Sequence, residues 1–379
     1  MVEVLWFLGT LAVSCIVGFL AHKAKIPMGA MLGAMVAATA FNLITDHGVF
    51  YNELRILLQL LTGAMIGSRI GIEEAKSMKT ILVPTVMLLI GMVVLNIAFG
   101  AAVFYLSELD IVTSLFSVTP GGATDMAMIS ADLGANTAYV AILQILRIII
   151  IITLLPPIFK AIVKKTHYRE FGGTIVRTEE AKTAGREHEQ RAASPDEEHP
   201  HDSLPVEPFR YNRRETILLA GLFVCAIAGG LLFRLLGVPA GAIIGAMLFG
   251  IAYSIVFGKA VYPKRMRPWQ QVLAGAYIGV SIDKQTVASM DVLFIPLMIM
   301  IIGILVFVFL ISLIIHKLSK LDFVTCLLAC TPGGITEMSL LSEEFGADTP
   351  KIAVMQTVRL VLVIMIFPFM IQTILSMFG

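Results

Sequence analysis

The sequence contains two copies of one pattern, separated by a constant offset of 212 residues over most of their length. The segment at 119–126, TPGGATDM, returns at 331–338 as TPGGITEM, and Pro27 returns as Pro239. A pattern that repeats at a fixed spacing indicates one structural unit used twice. We therefore expect a fold built from two related halves.

Both halves are apolar enough to belong in a membrane. Hydrophobic residues make up 57% of the chain and charged residues only 15%, which is unusual for water-soluble domains. Windows of about 20 apolar residues, the length needed to cross a bilayer core of roughly 30 Å, occur in two sets of six. They lie near residues 4–20, 27–44, 54–70, 80–106, 111–132 and 137–160, and near 216–236, 239–257, 268–283, 291–315, 323–344 and 349–376. The sequence therefore predicts an all-α polytopic membrane protein, with one membrane repeat at 1–163 and the other at 216–379.

Residues 164–215 separate the repeats and have a different composition. They carry 10 Lys or Arg and 11 Asp or Glu with few aliphatic side chains, which predicts a disordered, solvated linker. Within the linker, His199 and His201 are too isolated from other ligand types to predict a metal site. A net charge of +1 gives no reason to expect a nucleic-acid partner, and nothing in the sequence indicates an enzyme or a cofactor.

The distribution of basic residues predicts how the repeats are oriented, because Lys and Arg concentrate in cytoplasmic loops. If each TPGG segment dips into the membrane and returns, each repeat has five full spans and the second repeat is inverted. The short inside loops then hold 11 basic residues in addition to the linker, and the outside loops hold Arg234 and Lys284, with Arg55 at the edge of a span. If the segment crosses fully, twelve spans form two parallel repeats. The short loops then hold 7 basic residues inside and 6 outside. The inverted arrangement with a cytosolic linker is therefore favoured.

The glycine pairs Gly121-Gly122 and Gly333-Gly334 lie near the centres of their apolar windows. Proline removes a backbone donor and each glycine costs about 1 kcal/mol in a helix, so the helix is expected to break there. Two arms of about 11 residues each reach about 16 Å, which puts the break near the middle of the membrane. A simple kink in a packed helix is the alternative. Because both copies keep the motif in register, we favour a re-entrant hairpin whose unwound backbone lines a cavity.

An acidic residue follows each glycine pair by three positions, Asp125 in the first copy and Glu337 in the second. A carboxylate at the start of the returning arm is favoured by the helix N-terminus, and it can hold Na⁺ or carry a proton. Capping of the helix alone is the simpler alternative. The acids are therefore candidate sites for a coupling ion.

A pair of arginines, Arg147 and Arg359, lies about ten residues into the last window of each repeat, which is again near the midplane. A charge at that depth is costly and needs a partner. The expected partners are the acids of the TPGG segments or the carboxylate of a solute, which arginine binds with two hydrogen bonds. A structural ion pair without a transport role is the alternative. Gln144 and Gln356 precede the arginines by one helical turn and share their face.

The paired TPGG[AI]T[DE]M segments, the duplication and the charged linker together resemble the AbrB-type integral membrane family. The resemblance covers the whole chain except the linker. It implies a duplicated bacterial inner-membrane protein of a group labelled as regulators or as ammonia monooxygenases, and it carries no established site residues. The paired glycine hairpins are also similar in architecture to those of sodium-coupled glutamate and hydroxycarboxylate transporters.

We therefore predict a secondary transporter of a small anionic or zwitterionic solute in the bacterial cytoplasmic membrane, coupled to H⁺ or Na⁺. The predicted solute and ion ligands are Thr119, Gly121, Gly122, Thr124, Asp125, Gln144, Arg147, Thr331, Gly333, Gly334, Thr336, Glu337, Gln356 and Arg359. A membrane sensor that regulates gene expression through the linker is the alternative. A membrane oxygenase ranks below both, because it would need clustered metal ligands. A homo-oligomer stays open.

Overall fold

The computed structural model describes residues 2–24, 28–77, 81–170, 213–258, 260, 262–263, 265–319, 321–333, 338, 341–342 and 345–378. Helices form the secondary structure of this part, and no strand occurs in it. The predicted linker falls mainly on residues 171–212, which lie outside the described residues. The helix before it continues to Glu170, and the next described helix begins at Arg213.

The described helices follow the predicted windows closely. The first copy has α1 (Val2–Lys23), α2 (Gly29–Thr45), α3 (Asn52–Gly67), α4 (Ile72–Ser77), α5 (Leu82–Leu106), α6 (Ile111–Val118), α7 (Ala123–Asp132) and α8 (Thr137–Glu170). The second has α9 (Arg213–Leu235), α10 (Gly241–Phe257), α11 (Met266–Val280), α12 (Lys284–Ala288), α13 (Phe294–Val306), α14 (Ser312–Leu318), α15 (Phe323–Cys330) and α16 (Thr349–Phe378), with a π-helical turn joining α13 to α14. Within the described ranges, six helices are long and apolar enough to cross a membrane. The chain is therefore an all-α polytopic membrane protein, as predicted.

The TPGG segment of the first copy breaks one apolar window into two short helices. Helix α6 has 8 residues and α7 has 10, so each is about 12–15 Å long. The backbone N–H of Asn136, after α7, donates to Thr113 Oγ1 at the start of α6 over 2.8 Å. The same bond recurs in the second copy, from Asp348 N–H to Thr325 Oγ1 over 3.1 Å. The chain thus returns to the level at which it entered, which supports the re-entrant hairpin over a full crossing.

The two copies exchange helices, because α2 packs against α11 and α3 packs against α10. Asn42 Nδ2 donates to Val280 O over 3.0 Å, so the C-terminal ends of α2 and α11 lie together and these helices run parallel. At the start of α3, the Arg55 guanidinium lies 6.0 Å from the ring centroid of Tyr277, near the end of α11, so α3 and α11 run antiparallel. Helix α11 is the counterpart of α3 in the second copy, yet the two helices run antiparallel to each other. This geometry supports inverted repeats.

The helices form two groups that meet along a narrow boundary. We call α1, α2, α3, α9, α10 and α11 the scaffold bundle, and α5–α8 with α13–α16 the core bundle. Contacts between the bundles involve mainly α3 and α11 of the scaffold and α7 and α8 of the core.

Met28 and Ala240, at matched positions before α2 and α10, adopt φ of 54° and 53° in the left-handed region. This strained turn is retained in both copies although neither residue is glycine.

Small residues let the exchanged helices approach closely. A Cβ added to Gly275 of α11 would collide with the carbonyl oxygen of Met31 in α2, whereas one added to Gly250 of α10 would find its nearest atom at 3.4 Å. Gly63 and Gly67 of α3 make similar backbone approaches to α10. Close approach at glycines spaced by four residues is typical of helix packing in membranes.

We expect Gly275→Ala to destabilise the protein by about 1–3 kcal/mol, because the added methyl group overpacks a backbone contact. The matched Gly250→Ala variant should be neutral or slightly stabilising, since alanine favours a helix over glycine by up to about 1 kcal/mol. Thermal unfolding of the detergent-solubilised variants measures both effects. Equal melting temperatures for the two variants would contradict the close approach at Gly275.

Candidate functional site

The unwound segment of the first hairpin is held by two side chains of α8. Gln144 Nε2 donates to Phe116 O over 2.8 Å and to Thr119 O over 2.9 Å. Arg147 Nη1 donates to Thr119 O over 2.7 Å, and Nη2 donates to Gly121 O. Because a broken helix leaves its last carbonyls without intrahelical donors, these side chains replace the missing N–H groups. The spacing of one helical turn lets both reach the same break.

The second hairpin is held in the same way by α16. Gln356 Nε2 donates to Leu328 O over 3.0 Å and to Thr331 O over 2.9 Å, and Arg359 Nη1 donates to Thr331 O over 2.8 Å. The copies differ in the second Nη group, because Arg359 Nη2 donates to Gln356 Oε1 over 2.6 Å. Three further predicted site residues of this hairpin, Gly334, Thr336 and Glu337, lie outside the described residues.

The two arginines are deeply buried without an acidic partner in the described part of the chain. Arg147 is 2% exposed and Arg359 is 5% exposed, and neither has a described carboxylate within 4.0 Å. The Nε of each also has no hydrogen-bond partner. The predicted pairing of Arg147 with Asp125 is therefore not seen, because its Nη groups bind backbone carbonyls instead. Two buried positive charges are thus without a described counter-ion, and an anion beside them would be strongly favoured.

Asp125 lies in the first turn of α7, where the helix N-terminus favours a negative charge. It is 6% exposed, and Thr124 Oγ1 donates to its Oδ1 over 3.2 Å. The carboxylate folds back over Gly122, where any Cβ would collide with Oδ2. A residue larger than glycine at this position would therefore displace the carboxylate from its place beside the hairpin tip.

A cavity of about 290 Å³ lies where the two hairpin tips meet the scaffold bundle. Its lining contains eight of the fourteen predicted site residues, namely Gly121, Gly122, Thr124, Asp125, Arg147, Gly333, Gln356 and Arg359. Three others, Thr119, Gln144 and Thr331, take part in the hydrogen bonds behind the cavity wall. The structure thus brings both hairpins and both arginines to one place. Binding by these residues stays a prediction.

The cavity also contains two polar residues that are not among the fourteen predicted ligands. They are Arg69, one of the 11 basic residues of the short inside loops, just beyond the end of α3, and Gln271 of α11. Arg69 has no basic counterpart, because Ser281 occupies the matching position, so a search of the duplication overlooks it. The one available signal was its place directly after an apolar helix. In the described part of the chain, no group of three or more His, Cys, Asp or Glu side chains is placed to hold a metal.

The far end of the first hairpin is tied to the scaffold bundle. Arg55 Nη2 lies 3.1 Å from Asp132 Oδ1, and Gln59 Nε2 donates to Asp132 Oδ2 over 2.8 Å. One residue pair on α3 therefore binds both oxygens of a single carboxylate at the end of α7. These contacts join the two bundles at the end of α3 opposite Arg69.

Comparisons with known proteins agree with this architecture. The family model described as "Transition state regulatory protein AbrB" matches residues 2–163 and 181–375. The chain is 26% identical over 380 residues to "Uncharacterized protein YhjN" of Bacillus subtilis (strain 168), an alignment covering 96% of this chain and 91% of that protein. It is 23% identical over 360 residues to "Putative regulator AbrB" of Escherichia coli (strain K12), covering 93% and 91%. No solved structure matches the chain at a significant level. The chain therefore belongs to the AbrB family, as the resemblance carried by its paired TPGG segments predicts.

Proposed function

We propose that this membrane protein is a secondary active transporter of a small anionic or zwitterionic solute. We call the cavity between the hairpin tips and the scaffold bundle the main cavity, and its charge balance carries the proposal. Three guanidinium groups, those of Arg69, Arg147 and Arg359, line it against one described carboxylate, that of Asp125. In a site of low polarity this excess favours a negatively charged ligand. A volume of about 290 Å³ suits a small solute rather than a lipid or a peptide.

The arrangement of the bundles supports transport rather than static binding. Inverted repeats with broken helices at mid-depth are typical of secondary transporters, in which one bundle moves against the other around a central site. Here the scaffold and core bundles meet along a narrow boundary. The boundary is tied by Arg55 and Asp132 at one end and opens into the cavity at the other. We assign the structure to the state of a carrier in which the cavity is accessible from the side of Arg69. The basic residues of the loops favour an orientation of this side toward the cytosol of a bacterial inner membrane.

Uptake into proteoliposomes tests the proposal directly. The full chain would be reconstituted and assayed with a panel of labelled mono- and dicarboxylates, amino acids, phosphate and sulfate, under imposed Na⁺ and pH gradients. We expect accumulation of at least one anion or zwitterion that depends on a gradient. Cationic and neutral solutes are added to the panel as further test compounds. Uptake of these alone would contradict the proposed solute class, and uptake of no solute would contradict transport.

Asp125 is the described residue best placed to couple the solute to a cation. We expect Asp125→Asn, which keeps the shape but cannot ionise, to reduce gradient-driven accumulation by at least about 10-fold while solute binding is retained. Asp46→Asn is the matched control, because Asp46 pairs with Lys284 at an exposed helix end. Accumulation by Asp125→Asn with the same dependence on Na⁺ or pH as the parent would contradict this role.

The name of the relative from Escherichia coli contains the word regulator, which is in line with the sensor alternative. Deletion of residues 170–208 separates the two functions. A transporter should keep its flux when the segment between the repeats is shortened, whereas a sensor that acts through this segment should lose its effect on gene expression. A correctly inserted deletion variant that keeps the parent's effect on gene expression would contradict the sensor.

A further inference from the structure

A second cavity of about 180 Å³ adjoins the main cavity between α3 and α11. The two share Met28, Met65, Arg69, Thr124 and Gln271, so they lie side by side. The second cavity adds Thr62, Arg267, Gln270 and Ala274. We call this second cavity the vestibule. It lies on the side of the scaffold bundle away from the Arg55–Asp132 contact.

The vestibule carries positive charge that described residues do not neutralise. Arg69 Nε is buried without a hydrogen-bond partner, and Arg267 is exposed in the first turn of α11. No described carboxylate lies within 4.0 Å of either guanidinium. Because like charges on the walls of one small cavity repel each other, an anion between them lowers the energy of the folded state.

The neighbouring polar groups of the vestibule add no charge to this balance. Gln270 Nε2 donates to the hydroxyl oxygen of Tyr262 in the loop before α11. Burial raises the pKa of Tyr262 to about 12, so the phenol stays neutral at physiological pH. The two arginines therefore dominate the electrostatics of the described vestibule wall.

The first copy shows what the residues at this position bind. Arg267 and Gln271 match Arg55 and Gln59 in the repeat, with the same spacing of four residues. In the first copy that pair binds one carboxylate, with the arginine on one oxygen and the glutamine on the other. In the second copy both residues line open space. Among the described residues, the pair thus binds a carboxylate in the first copy and none in the second; Glu344, which matches Asp132 in the repeat, lies outside the described residues.

We infer that Arg267 and Gln271, assisted by Arg69, form a second carboxylate-binding subsite in the vestibule. An anionic solute occupies it between the water-exposed loop and the main cavity, so it acts as an access site. Carboxylate binding at this subsite stands independently of transport. Its place on the solute path rests on the function proposed above.

The test uses a thiol reporter inside the vestibule. In a full-length protein whose native cysteines are replaced by alanine, Thr62→Cys places one thiol on a wall that belongs to the vestibule alone. Its reaction rate is measured with a sulfonate-bearing and a trimethylammonium-bearing methanethiosulfonate, with and without succinate, at constant ionic strength. We expect faster reaction with the anionic reagent and protection by succinate.

Arg267→Gln should lower the ratio of anionic to cationic rates about fivefold, the effect expected for removing one charge about 8 Å away in a water-like medium. It should also abolish protection by succinate, and Gln271→Leu should weaken that protection. Arg265→Gln is the matched control, because this substitution removes the same charge two positions earlier in the chain. Arg265 is exposed and does not line the vestibule. Size-exclusion chromatography checks that each variant is folded.

The Arg147→Ala variant distinguishes protection by succinate bound in the main cavity from protection by succinate bound in the vestibule. Protection that persists in Arg147→Ala and is lost in Arg267→Gln supports the vestibule subsite, even if no solute is transported. Protection that is lost in Arg147→Ala and kept in Arg267→Gln overturns it. Equal rate ratios in Arg267→Gln and Arg265→Gln would overturn it as well.

Discussion

Replacing Arg147 by alanine is expected to reduce solute uptake by at least about 100-fold. A solute anion bound to Arg147 would form a buried, hydrogen-bonded charge pair with it. Truncating one member of such a pair typically costs about 2–5 kcal/mol, and each 1.4 kcal/mol is roughly tenfold in affinity. The same change leaves the carbonyls of Thr119 and Gly121 without this donor and so loosens the hairpin tip. Initial uptake rates in proteoliposomes, normalised to inserted protein, measure the effect. Arg359→Ala should behave similarly, because Arg359 holds the second hairpin through Thr331 O.

Two further variants show whether the effect is specific. Arg147→Lys keeps the charge but cannot form the planar two-pronged contact, so we expect an intermediate loss. Arg234→Ala removes an exposed arginine at the end of α9 and should leave uptake unchanged. Uptake by a folded Arg147→Ala protein within a factor of two of the parent would contradict the role of the guanidinium.

Replacing Gln144 by leucine should destabilise the protein by about 1–3 kcal/mol, the cost of one buried carbonyl left without a donor. Gln144 Nε2 donates to Phe116 O and to Thr119 O at the break, but Thr119 O keeps the bond from Arg147 Nη1, so Phe116 O is the carbonyl that loses its donor. Gln356→Leu should have a comparable effect on the second hairpin, since its amide donates to Leu328 O and Thr331 O. The measurement is thermal and denaturant unfolding in detergent.

Thr357→Val is the matched control for the glutamine variants. Thr357 lies next to Gln356, but its hydroxyl donates only to Ala353 O within the same helix. That carbonyl is also available to the helix backbone, so we expect a loss below about 1 kcal/mol. A Gln144→Leu protein as stable as Thr357→Val would show that the unwound segments do not depend on these amide donors.

The repeat and the hairpins could be predicted because their signals are local. Gly121-Gly122 sits in the middle of an apolar window, and the matching pair in the second copy repeats at the same register. Gln144 and Arg147 are three residues apart, so their shared helix face follows from the periodicity of the helix alone. The break and the side chains that hold it are therefore visible in the sequence.

The partners of these side chains could not be predicted, because they depend on packing between distant segments. Arg147 was expected near the carboxylate of Asp125 or of a solute, and the sequence does not show that backbone carbonyls take its Nη groups. Arg69 enters the cavity only because α3 packs against α11 of the other copy. Likewise, nothing in the spacing indicates that Arg55 meets Asp132.

The exchange of helices between the copies has a consequence for biogenesis. Met31 of α2 finds its partner at Gly275, roughly 240 residues later in the chain. At a synthesis rate of about 5–20 residues per second, the small-residue face of α2 waits some tens of seconds for the helix that covers it. During that interval lipid or the insertion machinery must shield it. A chain truncated before Gly275 keeps this face uncovered, so the first half depends on the second for its own assembly.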